Sequence, residues 1–323
     1  MPALARRLLA ALELARLPVA FGAVANVWAM VLLADAAARA AGDAGDAPPL
    51  SLRLAAGATV AVGFLAFGAI LNDFLDAKHD RAFRPDRPIP SGAVRPRRAM
   101  QLALAALVAG FAGASLFGPA ALAPAAAMAA LILLYDAFAK HVPALGIVLS
   151  GLVTGLSMLV PSVEPPLAAP VWLAMSQTMG LGLAAYLLAE KRPRLSGRAI
   201  VAGAAGWIFW SGALLGSAWW RAGVEGVLGG LSARALAAPA AATVIGGLLA
   251  AWKLRRARGA GAGDRVLRYG SLWKSLVAAS WLLAAGMPGA AAAIAGTAVA
   301  IFAATALLRE AGPQLLSPAT WRS

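Results

Sequence analysis

The residues of this chain best suited to chemistry lie in the run Asn72-Asp73-Phe74-Leu75-Asp76-Ala77-Lys78-His79-Asp80-Arg81. If a helix continues through it, Asp73, Asp76 and Asp80 fall at i, i+3 and i+7. At about 100° per residue they then share an arc of roughly 60°. Three carboxylates on one stripe repel each other unless a cation joins them. Hard oxygen ligands on a helix that leave some water in place suit Mg²⁺ bridging to a diphosphate. Asn72 can add an amide oxygen or a hydrogen bond to the cluster. The alternative is a solvated helix end that balances the basic residues after it. Three acids on one stripe, next to an apolar run that carries almost no other charge, weigh against that, because ionisable groups at membrane depth are costly and usually functional.

The next segment, Arg84-Pro85-Asp86-Arg87-Pro88-Ile89-Pro90-Ser91-Gly92, reads as a loop. Its prolines remove donors and restrict the residues before them. Arg81, Arg84 and Arg87 are thereby expected beside the carboxylates, where guanidinium and metal together would neutralise a diphosphate. The same arginines also satisfy a plain bias of basic residues toward one membrane face.

The elements that must position these groups are membrane spans. Hydrophobic residues make up 61% of the 323 and charged ones 13%, which leaves too little polar surface for a soluble fold. We expect one all-α membrane domain over 1–323, a polytopic bundle of about nine or ten helices. Apolar runs long enough to cross a hydrocarbon core of about 30 Å fall near 17–35, 53–75, 98–116, 120–139, 144–162, 169–189, 199–218, 236–254, 271–288 and 290–308. The first is read as an uncleaved span, since Glu13 and Arg16 interrupt the apolar run that precedes it. Frequent alanine and glycine suit close helix approach in lipid.

A net charge of +14 would suggest nucleic acid in a soluble protein, but the basic residues sit in short loops between apolar runs, which fits the anionic face of a bilayer instead. Lys78 and Arg81 to Arg98, Lys140, Lys191 to Arg198, and Lys253 to Arg268 all follow even-numbered crossings. The positive-inside rule thus expects a multi-pass protein of the cell inner membrane with its amino terminus and these loops cytoplasmic. With no cysteine and only His79 and His141, thiolate and Cys/His zinc sites are excluded, and a metal must be held by oxygen.

The string Asn72-Asp73-x-x-Asp76-x-x-x-Asp80-Arg81, followed by Arg87-Pro88-Ile89-Pro90-Ser91-Gly92, resembles the first aspartate-rich motif of the UbiA superfamily of intramembrane prenyltransferases, at its expected place between spans two and three. Further matches are Arg16-Leu17-Pro18 at the first span and Tyr135, Lys140, Pro143 and Gly146 after the fourth. The resemblance implies that Asp73, Asp76 and Asp80 hold Mg²⁺ and a prenyl diphosphate, with Asn72, Arg81, Arg87 and Tyr135 beside the substrate and Lys140 facing the diphosphate from another helix. It implies transfer of the prenyl group to an aromatic or lipid acceptor that the sequence does not identify.

The family's second aspartate-rich motif falls between spans six and seven, and here that stretch, Tyr186-Leu187-Leu188-Ala189-Glu190-Lys191-Arg192-Pro193-Arg194, contains no aspartate. Glu190 could replace one ligand; a second metal would lack its usual set. An EboC-like bacterial branch resembles this chain more closely at that segment, although span five carries Thr154 and Ser157 where that branch has an Arg and an Asn. Trp172 and Tyr186 are candidates to line a cavity, with packing as the plainer role. Asp136 stands as a partner for Lys140 or as the cap of a span end. Two rival classes compete with this reading. CDP-alcohol phosphotransferases also place aspartates at a membrane surface, but their Asp-Gly-x-x-Ala-Arg signature has no match here. The other is a descendant that keeps the first motif and works as an isoprenoid or lipid transporter or binding scaffold.

Overall fold

In a computed structural model the described residues are 20–42, 47–85, 87–190, 194–256 and 259–316; side chains at 260, 264 and 308–316 are not among them. Eleven α-helices and no strand run through this part: α1 (Phe21–Ala41), α2 (Leu50–Leu75), α3 (Ala77–Phe83), α4 (Pro96–Ser115), α5 (Leu122–Ala137), α6 (Pro143–Leu159), α7 (Ala169–Leu188), α8 (Gly197–Leu228), α9 (Ala237–Leu254), α10 (Ala260–Ala284) and α11 (Pro288–Leu316). Eight are long and apolar enough to cross a bilayer: α1, α2, α4, α5 with the turn before it, α7, α8, α9 and α11. The shorter apolar α6 and the long, charge-bearing α10 complete the set of expected spans. The described part is therefore the all-α bundle that the apolar runs predicted.

Two boundaries differ from the hydropathy reading, and for a physical reason. The expected span 199–218 is part of a 32-residue helix, broken at Ala222 and Gly223 where the backbone leaves helical values. The expected span 271–288 begins at Ala260, because Arg265 and Arg268 continue the helix without being apolar. Apolarity reports what a segment can bury, and helical hydrogen bonding extends past it.

Small residues carry the tightest crossing. A Cβ built on Gly63 of α2 would lie 2.8 Å from the carbonyl of Ala106 and from the amide of Gly110 on α4, and one on Gly113 would lie 2.8 Å from the carbonyl of Ala56. The two backbones therefore meet with no side chain between them. Gly63→Val inserts three carbons where the neighbour is backbone and cannot step aside. We expect it to cost about 1–3 kcal/mol, read as a fall in the thermal midpoint of the detergent-solubilised protein.

Buried side chains gather in two main cores. One joins Phe64, Phe67 and Ile70 of α2 to Ala99 and Ala103 of α4 and Met128 and Ile132 of α5. The other joins Met30 of α1, Met158 of α6, Val171 and Ala174 of α7, and Val277 and Leu282 of α10. At the end of the bundle opposite the aspartate run, Asp35 pairs with Arg39 and Arg53.

Candidate active site

The helix does continue through the acidic run. The Asp76 amide donates to the Asn72 carbonyl at 2.9 Å, the Asp80 amide to the Asp76 carbonyl at 2.8 Å, and the Arg84 amide to the Asp80 carbonyl at 2.7 Å. Asp76, with φ −82° and ψ −3°, only loosens the join between α2 and α3. Asp73 and Asp80 are buried and Asp76 is partly exposed.

Two cations of the chain interleave with this stripe. Arg87 Nη1 donates to Asp73 Oδ1 at 2.9 Å and to Asp80 Oδ2 at 2.8 Å. Lys140 Nζ donates to Asp76 Oδ1 at 2.6 Å and to Asn72 Oδ1 at 3.2 Å. The acids are thus compensated in two groups. Among the described residues no three acidic or histidine side chains converge on one bare point.

Each cation is aimed by local structure. Arg87 begins a turn in which the Ser91 amide donates to its carbonyl at 2.9 Å and the Val94 amide donates to the Pro88 carbonyl at 2.8 Å. Gly92, at φ 78°, supplies the left-handed step that this turn requires. Ile89 and Val94 are buried against the α2–α4–α5 core, so the loop is pinned on both sides of its bend. Sequence reasoning did not single them out, although two apolar residues inside an Arg-Pro loop were a usable signal. Lys140 stands on a single 3-10 turn, Ala139–His141, whose first residue is fully buried. A Cβ on Gly146 would lie 3.0 Å from the Ala139 carbonyl and 3.4 Å from Tyr135 Cε2, so glycine lets this turn and the tyrosine ring settle onto α6.

Other expected residues go elsewhere. Arg81 and Arg84 are exposed and make no ion pair with the acids among the described residues, which corrects the expectation that all three arginines arrive beside them. The reason is helical phase: α3 runs on to Phe83, so Arg81, one residue past Asp80, is rotated about 100° off the stripe. Glu190 is exposed beyond the end of α7 and makes no hydrogen bond or ion pair with the aspartates. It holds a left-handed φ of 51° while its amide donates to the Leu187 carbonyl at 3.2 Å. A side chain costs energy in that conformation, so Glu190→Gly should stabilise the protein by about 0.5–1 kcal/mol, measurable as a higher thermal midpoint. Arg16-Leu17-Pro18, Asp86 and Lys191 to Pro193 lie outside the described residues.

Thr154 and Ser157 donate to carbonyls of their own helix, at 3.2 and 2.7 Å. Trp172 Nε1 donates to Ser211 Oγ at 3.0 Å, which ties α7 to α8 in the packing role. Tyr186 is partly buried on the last turn of α7. Asp136 is buried at the end of α5, and His141 is exposed.

Residues 27–273 match the model of the UbiA prenyltransferase family. The chain belongs to that family. The match singles out no branch within it, the EboC-like one included. With its long apolar helices, this UbiA member is a multi-pass membrane protein. It is 38% identical over 115 residues to the digeranylgeranylglyceryl phosphate synthase of Methanopyrus kandleri, a stretch covering 35% of this chain and 42% of that protein. The alignment thus spans less than half of the relative's length. A structure solved in work on digeranylgeranylglyceryl phosphate synthase in membranes superposes with a TM-score of 0.55 and 18% identity, covering 86% of this chain and 98% of that one, a likeness of fold. A UbiA homologue from Archaeoglobus fulgidus bound to GPP and Mg²⁺ is more distant, with a TM-score of 0.44 and 13% identity over 91% of this chain and 99% of that one.

Proposed function

We propose that this UbiA member, working as one membrane domain, transfers a prenyl group from a prenyl diphosphate to an aromatic or lipid nucleophile at the mouth formed by α2, α3 and the turn after α5. The observation that carries the proposal is the pairing of Arg87 and Lys140 with a stripe of three aspartates at the end of an apolar helix. Diphosphate and divalent metal together match that arrangement, because each can take over one half of it: the acids accept the metal, and the cations accept the diphosphate.

The donor set fits Mg²⁺. It is made of oxygen alone, and a single guanidinium nitrogen held by both Asp73 and Asp80 marks a point where two carboxylates already share a cation. Asp73, Asp76 and Asp80 would hold the ion. Once bound, Mg²⁺ would supply charge neutralisation to the leaving diphosphate. The remaining work falls to side chains of the chain. Arg87 and Lys140, released from the acids, donate to diphosphate oxygens and keep those donors fixed as the C1–O bond breaks. Asn72, which already accepts from Lys140, holds the ammonium in line. The apolar walls of the bundle keep water from the allylic cation until the acceptor bonds to C1 and gives up its proton to the departed diphosphate. The run of basic residues around the mouth supports placing it on the cytoplasmic face of the inner membrane.

A second reading has specific support. Glu190 is exposed and the Thr154 and Ser157 hydroxyls are spent within α6, so among the described residues these three form no second polar set opposite the first. That pattern suits an isoprenoid carrier or binding scaffold. Incubating purified protein with labelled prenyl diphosphates and a panel of acceptors decides between the readings: Mg²⁺-dependent diphosphate release supports transfer, whereas tight isoprenoid binding that ignores Mg²⁺ and releases nothing favours the carrier.

A further inference from the structure

Each of three helices places a polar side chain inside the bundle that the aspartate site does not use. Asn26 of α1 is 2% exposed and Gln177 of α7 is 5% exposed, and neither the Asn26 Nδ2 nor the Gln177 Nε2 and Oε1 atoms find a partner. Lys274 of α10 is partly buried and makes no hydrogen bond or ion pair among the described residues. The Nε1 of Trp281, 6% exposed on the same helix, is also unsatisfied.

Helix register brings these groups to one level. The Gly22 amide donates to Ser271 Oγ at 3.1 Å, which sets α1 against α10. As the first and ninth of the bundle's ten long helices, which alternate in direction, the two run the same way, so one turn further on each lie Asn26 and Lys274. The Gly259 amide donates to the Leu188 carbonyl at 3.0 Å, so α7 runs antiparallel to α10, and Leu181 packs on Gly270. One turn further on each lie Gln177 and Lys274. Trp281 follows Lys274 on the same face after two turns.

This level is separate from the aspartates. Gly57 of α2 packs on Val27 and Val31, which puts Asn26 roughly 20 Å along the bundle from Asp73 at about 1.5 Å per residue. Unpaired polar groups in such a setting each cost several kcal/mol by order of magnitude, and intramembrane ionisable groups are usually functional. The inventory is lopsided: ammonium, two amide NH₂ groups and an indole N–H offer hydrogens, and the amide oxygens of Asn26 and Gln177 are the acceptors set against them. An oxygen-rich ligand answers that imbalance. Lys274 supplies one positive charge, so a monoanion with two oxygens matches it, while Met30, Ala29, Ala278 and Leu282 offer apolar walls.

We infer that α1, α7 and α10 enclose a binding site for the carboxylate end of an apolar acid, held by Lys274, Asn26 and Gln177. The site does not depend on the transferase reading. The test uses the full chain in nanodiscs of neutral lipid and follows tryptophan quenching by 2-bromodecanoate, displaced by decanoate, decanol or acetate. Decanoate should displace the probe at least tenfold better than decanol. Lys274→Met should erase that preference and Lys274→Arg should keep it. Asp73→Asn with Asp76→Asn should leave it unchanged, so failure of the aspartate site would not mask it. Competition by acetate would show that the carboxylate alone is read, and competition by decanoate only would show that the apolar body is needed; both keep the site. Equal displacement by decanol and decanoate, or wild-type behaviour in Lys274→Met, overturns it. If Lys274→Met does not fold, Gln177→Leu serves instead, with a tenfold loss of decanoate affinity expected and no change overturning the assignment.

Discussion

Asparagine at both 73 and 76 should reduce Mg²⁺-dependent diphosphate release by at least about 10³-fold, because it removes the two charges that anchor metal and leaving group together. The substitution is chosen for shape. Asparagine can still accept from Arg87 and Lys140 through its amide oxygen, and Asp80 still binds Arg87, so the mouth should keep its form. Single-turnover release of labelled diphosphate, read beside a circular-dichroism melt, separates lost chemistry from lost fold. A folded double variant that retains more than a tenth of the rate would remove the metal from this stripe.

Arg87→Ala should act first on stability and through it on metal binding. It removes the guanidinium that buried Asp73 and Asp80 share, at a cost of about 3–5 kcal/mol. Millimolar Mg²⁺ should restore much of that loss, since any ligand that binds only the folded state stabilises it by mass action. The thermal midpoint of the variant should therefore climb more steeply with Mg²⁺ than that of the wild type, while affinity for prenyl diphosphate falls. Arg87→Lys should repair the melt only in part, because one ammonium does not reproduce the planar donor held between two acids. A midpoint that drops and does not respond to Mg²⁺ would show that the arginine and the metal do not share a place.

Much of this was legible in the sequence, for reasons that also mark where legibility ended. Long apolar runs announce spans because lipid tolerates little else, and the predicted helices are present with shifted ends. The aspartate stripe followed from helical spacing alone. Lys140 did not: it meets Asn72 across 68 residues, a distance bridged only by family resemblance. The arginines were over-read, since charge was counted without phase, and only Arg87 is carried back to the acids, by a loop pinned through Ile89 and Val94. Asn26, Gln177 and Lys274 passed without notice because each belongs to a different, mostly apolar run and no spacing within its own helix links it to the others. Packing alone collects them.

The direct backbone contact between α2 and α4 at Gly63 and Gly113 also bears on how the protein could be re-engineered. Residues 50–115 form a hairpin whose two rails are fused along their length and whose tip carries both the acids and the guanidinium that bridges them. Such a hairpin is a natural cassette. In chimaeras between family members its ion preference would travel with it, while the ammonium opposite would belong to the recipient.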